Sequence, residues 1–188
     1  MRSWSTCCSC SNGTAAMADP VDASTTRGAP FMAYREPVRD EWLDYNGHLN
    51  DASYAIVLSA AHELVLESLG LSAAYRASHQ ASMFTLETHI RFLAECSAGQ
   101  ILTAATQLVE ADTKRLHLHS ELYADGVLAA TGESLYLHVD TVAGRSAPLP
   151  DERQARVDAM LAAHAGLPRP AHLGLGVGTR RASPTGAS

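Results

Sequence analysis

Eight consecutive residues, Asp44-Tyr45-Asn46-Gly47-His48-Leu49-Asn50-Asp51, bring a carboxylate, an imidazole and two helix-capping side chains together. Asn46-Gly47 is a turn signal, because both residues tolerate positive φ. Asn50 and Asp51 are good N-caps for a following helix. The stretch therefore reads as a polar loop delivering Asp44 and His48 to a helix N-terminus. Unpaired N–H groups and a partial positive charge at such an end polarise a carbonyl or hold an oxyanion. The same residues serve equally well to tie down the loop and start the helix, with no chemistry at all. Elsewhere, His62 and Glu63 interrupt an apolar helical run, which places Glu63 near a pocket or at an edge. Glu87 and His89 share the polar face of one strand, either as orienting groups or as a wetted face. His117 and His119 alternate on another strand, but no third ligand accompanies them. Cys7-x-x-Cys10 lacks a second ligand pair, so no metal is expected at either place.

The elements that must position these residues follow from periodicity. Phe31 to about Val38 reads as a strand. From Asp51 to about Leu69, Val57, Leu58, Ala61, Leu64, Val65 and Leu69 follow helical spacing, and Gly70 supplies a stop. Ala55, Ile56, Ala60 and Leu66 fill the other faces, so this helix is apolar almost all round and is expected to be covered on most sides. Met83 to Leu93 alternates as a strand, with Phe84, Leu86, Thr88, Ile90 and Phe92 on one face. Gln100–Val109, Arg115–Tyr123 and Gly126–Val142 are further strands, the last two joined by an Asp125-Gly126 hairpin turn. A short amphipathic helix runs from Asp151 to about Ala165. One segregated helix beside a run of antiparallel strands indicates α+β architecture. The arrangement is a hotdog fold: a sheet of about five strands wrapped around one long helix.

Bulk properties bound the rest. The chain has 188 residues, 46% of them hydrophobic and 18% charged, with a net charge of −6. That is enough for one domain with a real core. The negative balance gives no general pull toward nucleic acid or an anionic membrane surface. No apolar run reaches the roughly 20 residues of a membrane span. Residues 1–29 are Ser-, Thr- and Cys-rich without periodicity and read as a disordered or mis-annotated leader. Residues 30–165 form the domain, and 166–188 read as a disordered tail. Cys96 stands alone in the body, which points to a cytoplasmic protein.

Asp44-x-Asn46-x-His48-x-Asn50, with Tyr54 beyond it and Glu87-Thr88-His89-Ile90-Arg91-Phe92-Leu93 later, resembles the hotdog-fold acyl-CoA thioesterases of the 4-hydroxybenzoyl-CoA type. The resemblance covers roughly residues 31–142. It implies that Asp44 is the catalytic carboxylate, as nucleophile or general base, with His48 and Asn50 as orienting or carbonyl-binding groups. Backbone N–H groups near Asn50 and Asp51 would be the oxyanion donors. Many members have Gly-Val-Val or Gly-Ile-Val where this chain has Gly47-His48-Leu49, so His48 stands apart from the common pattern. Asp44 to Asp51, Thr85 to His89, Lys114 to Leu118 and Leu135 to Asp140 also resemble the thioesterases of carnitine breakdown, which implies betainyl-CoA as substrate and no cofactor. On that reading Arg91, Lys114 and Arg115 would meet the coenzyme A phosphates. Trp42, Tyr45, Tyr54, Tyr123 and Tyr136 offer aromatic faces to a quaternary ammonium, and Glu87 adds a polar contact. A homodimer or homotetramer with sites at the shared interface is implied. Two other readings keep the fold: a hydratase or dehydratase pairing His48 with Asp44 or Glu63, and a non-catalytic acyl-CoA-binding module.

Overall fold

The computed structural model describes residues 28–177. The leader and the Cys7–Cys10 stretch lie outside the described residues. Six strands run β1 (Phe31–Pro37), β2 (Ala81–Phe92), β3 (Ile101–Ala111), β4 (Arg115–Ala124), β5 (Val127–Asp140) and β6 (Arg145–Ser146). Three α-helices accompany them: α1 (Asp51–Ser68), α2 (Ala73–His79) and α3 (Asp151–His164). The sheet is antiparallel in the order β1-β3-β4-β5-β2, with the two-residue β6 added to β5. This is the hotdog arrangement read from the sequence.

Local chemistry explains the boundaries. Asn50 caps α1 by accepting the Ala52 N–H on its side-chain oxygen at 2.9 Å. At the other end the Leu71 N–H reaches the Leu66 carbonyl at 2.7 Å while Gly70 takes φ +74°, so the helix closes on a left-handed residue. Asp125 and Gly126 both have positive φ, at 47° and 83°, as the two-residue hairpin between β4 and β5 demands. The helix α2 has no periodic signal and only seven residues, which is why the sequence did not announce it. It is held by Tyr75, whose hydroxyl donates to His138 Nε2 at 2.9 Å.

The core lies between one face of α1 and the concave side of the sheet. Val57, Leu58, Ala61, Val65 and Leu66 are buried there against Leu102, Leu108, Leu116, Leu118 and Leu122. Burial of each large side chain of this kind is worth about 1.5–3 kcal/mol. The expectation that α1 is covered on most sides does not hold within one chain. Ala55, Ile56, Ser59, Ala60 and Glu63 are exposed, because the sheet curls over one face of the helix only.

The alternation read for β2 also needs correction. A bulge between Thr85 and Glu87 shifts the register against β5. Tyr136 and Ser134 face α1, so their partners Thr85 and Thr88 share that side, and Phe84 and Leu86 do not continue the Thr88 face. The segment expected to be a free tail lies, as far as residue 177, against the outer face of the sheet. Leu173 is buried there and the Gly174 N–H donates to Glu133 at 2.8 Å.

Close approach of α1 to the sheet depends on Gly132 of β5. A Cβ at that position would meet Leu58 Cδ1 at 2.7 Å. Gly132→Val is therefore expected to lower stability by about 1–3 kcal/mol through overpacking. Urea denaturation checks this, and adding Leu58→Ala should recover part of the loss.

Candidate active site

The Asp44 loop is a small closed hairpin. The Asp44 N–H donates to the His48 carbonyl at 2.8 Å and the Gly47 N–H returns to the Asp44 carbonyl at 3.0 Å. Gly47 takes φ +78°, the conformation the Asn-Gly pair announced. The hairpin is pinned from outside: Leu49 N–H donates to the Cys96 carbonyl at 2.7 Å and Asn50 N–H to the Trp42 carbonyl at 2.8 Å. Leu49 thus reaches its place through a connection 47 positions further along the chain, the turn between β2 and β3, and Asn50 through one that precedes the hairpin.

Inside this frame the Asp44 carboxylate accepts the Asn46 N–H at 2.7 Å, the Asn46 side-chain amide at 3.3 Å and the His48 N–H at 3.3 Å. Desolvation pushes its pKa up, but the Asn46 and His48 N–H groups, the Asn46 amide and the His48 charge outweigh it and hold it below 3.8. Asp44 is an anion at neutral pH, the form a nucleophile or base requires. His48 Nε2 lies 3.5 Å from a Glu95 carboxylate oxygen. Its side chain thus turns toward the β2–β3 connection, and the hydrogen bond that His48 gives the Asp44 carboxylate comes from its backbone N–H. Glu95 carries no local signal in the sequence, since only the fold brings it beside the loop.

The first turn of α1 narrows the set of oxyanion donors. Asn50 N–H is spent on Trp42, Ala52 N–H on the Asn50 side chain and Ser53 N–H on the Asn50 carbonyl. The Asp51 N–H has no acceptor among the described residues.

The other residues singled out from sequence are spread over the molecule. Trp42 is buried, with the Arg39 guanidinium 4.6 Å above its ring. Tyr45 is 98% exposed at the tip of the hairpin. Tyr54 is buried: its hydroxyl donates to the Ala94 carbonyl at 3.1 Å and its ring meets Phe92 edge-on at 5.1 Å. Arg91 stands near the Phe92 end of β2, opposite Thr131, and has no ion-pair partner among the described residues. Lys114 and Arg115 sit in the β3–β4 turn, where Arg115 pairs with Asp112 at 2.6 Å. Because β3 starts beside the Asp44 loop and runs away from it, that turn is about 30 Å distant within one chain. Glu87, His89, Arg115 and His117 line a cleft of about 570 Å³ on the outer face, which Asp44 does not border. His117 is engaged with Glu133 at 2.8 Å.

Comparison with known proteins places this geometry in a family. Residues 38–157 match the thioesterase-like superfamily. A betainyl-CoA thioesterase from Pseudomonas aeruginosa is 43% identical over 150 residues, covering 79% of this chain and 94% of its own. An L-carnitine dehydrogenase/betainyl-CoA thioesterase from Agrobacterium fabrum is 42% identical over 84% of this chain, which spans 32% of that longer protein. A Staphylococcus aureus protein solved in complex with CoA superposes with a TM-score of 0.76 at 30% identity, covering 80% of this chain and 96% of its own. The chain belongs to the thioesterase-like superfamily and is a thioester hydrolase.

Beneath α1 runs a buried polar chain that the sequence did not resolve. His62 Nδ1 meets the Tyr136 hydroxyl at 2.9 Å, His62 Nε2 meets Ser120 Oγ at 2.9 Å, and Ser120 meets Thr106 at 2.7 Å. Burial, helped by the nearby His119, pushes the His62 pKa down from 6.5 to about 4. The folded protein thus keeps His62 neutral at pH values where the unfolded chain protonates it. This group leaves stability intact above about pH 6.5 and removes on the order of 3 kcal/mol as pH falls to about 4. Denaturant unfolding at pH 7.0, 5.5 and 4.5 should show that decline, and His62→Gln should make it shallower.

Proposed function

We propose that this chain is an acyl-CoA thioesterase that hydrolyses betainyl-CoA to glycine betaine and coenzyme A, with Asp44 as the reacting carboxylate. The observation that carries the reading is the ionised Asp44 carboxylate, held by loop N–H groups six residues before the Asn50 cap of a helix whose Asp51 N–H has no acceptor among the described residues. The relatives named for betainyl-CoA supply the substrate. Asp44 either attacks the thioester carbonyl carbon directly or takes a proton from the water that does. In both routes negative charge builds on the carbonyl oxygen, where a helix N–H stabilises it. The carbon–sulfur bond then breaks and coenzyme A departs as a thiolate, so no strong general acid is needed. Asn50 fixes the helix start, and His48, anchored to Glu95, fixes the hairpin. Trp42 and Tyr54 support the loop from the core. Tyr45 and Arg91 are the contacts we assign to the substrate near the loop, and Lys114, Arg115 and Glu87 are more distant ones. Among the described residues no single helix is long and apolar enough to cross a membrane. The free, buried Cys96 supports a cytoplasmic setting.

The reading includes a homodimer or homotetramer. β2 is an edge strand of twelve residues whose outer side pairs with nothing among the described residues, and Phe84, Leu86 and Phe92 on it are each about half exposed. A long, apolar, unpaired edge of this kind is a template for a second chain. Pairing along β2 also puts the exposed Ile56 of α1 out of water.

Two measurements test the proposal. Asp44→Asn is expected to lower thiol release from betainyl-CoA by about 10²–10⁴-fold while circular dichroism stays unchanged. Loss of water from, or addition to, an acyl-CoA without thiol release would replace hydrolysis by a hydratase reaction. Light scattering at micromolar concentration should give a dimer or tetramer, and Leu86→Glu should shift it to monomer and abolish turnover. A fully active monomer would refute the shared interface.

A further inference from the structure

The face of α1 that the sheet leaves open is not merely apolar. Together with β2 and β5 it forms a cleft of about 680 Å³ bordered by Ser59, Glu63, Thr85, Thr88, Ser134 and Tyr136. The hydroxyls of Tyr136, Thr88 and Ser134 already have partners. Tyr136 is bonded to His62, and Thr88 Oγ1 lies 3.1 Å from Ser134 Oγ. His62 is neutral at working pH. Glu63 is the ionisable group that differs: it is exposed, and among the described residues it has neither an ion-pair nor a hydrogen-bond partner. The cleft therefore presents one uncompensated negative charge beside an aromatic ring and small hydroxyl and methyl groups. A quaternary ammonium has no N–H to donate and asks for nothing else: an anion at a few ångströms and polarisable surface around its methyl groups.

We infer that Glu63, with Tyr136 beside it, reads the positive charge of the acyl group and is the specificity-determining residue for a cationic thioester. This rests on the thioesterase reading above. A second deduction follows from distance. Glu63 lies thirteen residues beyond the Asn50 cap, about 20 Å along α1 from the Asp44 loop. In a betainyl thioester a single methylene separates the reacting carbonyl carbon from the quaternary nitrogen. Asp44 and Glu63 of one chain cannot both reach such a group, so each site takes its carboxylates from two chains. The open β2 edge supplies the geometry. The Asp44 loop lies at the Phe92 end of β2, next to Tyr54, while Glu63 lies nearer the Thr85 end. Antiparallel pairing of two β2 edges brings the loop of one copy to the Glu63 end of the other.

The test compares betainyl-CoA with its neutral carbon isostere, 3,3-dimethylbutanoyl-CoA, which has the same shape and no charge. Glu63 is exposed, so Glu63→Gln should fold. The expected result is a fall in the ratio of kcat/KM for the two thioesters of about 10- to 100-fold. An unchanged ratio overturns the assignment, including the case where both rates fall together, which would make Glu63 structural or generally catalytic. Wild-type protein that releases thiol from the isostere but not from betainyl-CoA removes the cationic substrate and this inference with it. Wild-type protein that releases thiol from neither removes the thioesterase reading itself. Mixed dimers of Asp44→Asn and Glu63→Gln chains test the sharing. One of their two sites carries both native carboxylates, so they should recover about half the wild-type rate on betainyl-CoA. A rate no higher than half that of the Glu63→Gln protein would place both groups in one chain and overturn the arrangement.

Discussion

The seating of α1 on the concave side of the sheet is the constraint from which the remaining geometry follows. The helix comes close because Gly132 presents no side chain to Leu58, and the leucines of β3 and β4 then close around Val57, Leu58 and Val65. That contact fixes the helix axis, the axis fixes where its N-terminus emerges, and the Asp44 hairpin hangs from that end. A helix clamped on one side also has a free side. The exposed Ala55, Ile56, Ser59, Ala60 and Glu63 are the direct consequence of a single curled sheet being too small to enclose a cylinder.

At the loop, backbone geometry does the electrostatic work. Asp44 needs no neighbouring cation to stay ionised, because the turn around Gly47 aims two N–H groups at its carboxylate. Such a charge is held by groups that are covalently part of the loop, a preorganised setting for the role proposed for it. The opposite condition holds under α1. There His62 is kept neutral by burial, and its value is to orient Tyr136 rather than to carry charge. One group is thus an anion secured by turn geometry, and the other is a hydroxyl hydrogen-bonded to a neutral imidazole.

Distances within one chain divide the polar residues into two ends. The Asp44 hairpin, Arg91 and the Phe92 end of β2 lie together, whereas the Lys114–Arg115 turn lies across the full length of β3. On the proposed reading, groups that far apart serve one acyl-CoA by combining chains across the β2 edge, which is unpaired among the described residues. Arg115 is in addition neutralised by Asp112, which weakens its pull on a phosphate relative to Lys114 and Arg91.

Much of this was legible in the residues themselves. The Asn-Gly turn, the Asn50 cap, the Gly70 stop and the Asp125-Gly126 hairpin are rules of local backbone geometry, and each element they bound appears where those rules put it. The alternation of Arg115 to Tyr123 and the 3.6 spacing of Val57, Leu58, Ala61 and Val65 determined the element types, and hence the class of fold. What the chain could not state alone is which distant groups meet. Glu95 beside His48, Cys96 beneath Leu49, and Tyr136 on His62 are contacts between segments tens of residues apart, set by packing and register rather than by spacing. The bulge at Thr85–Glu87 shows the same limit within a single strand. Sequence determines the period of two, but one extra residue, placed by the pairing partner, decides which side each residue faces.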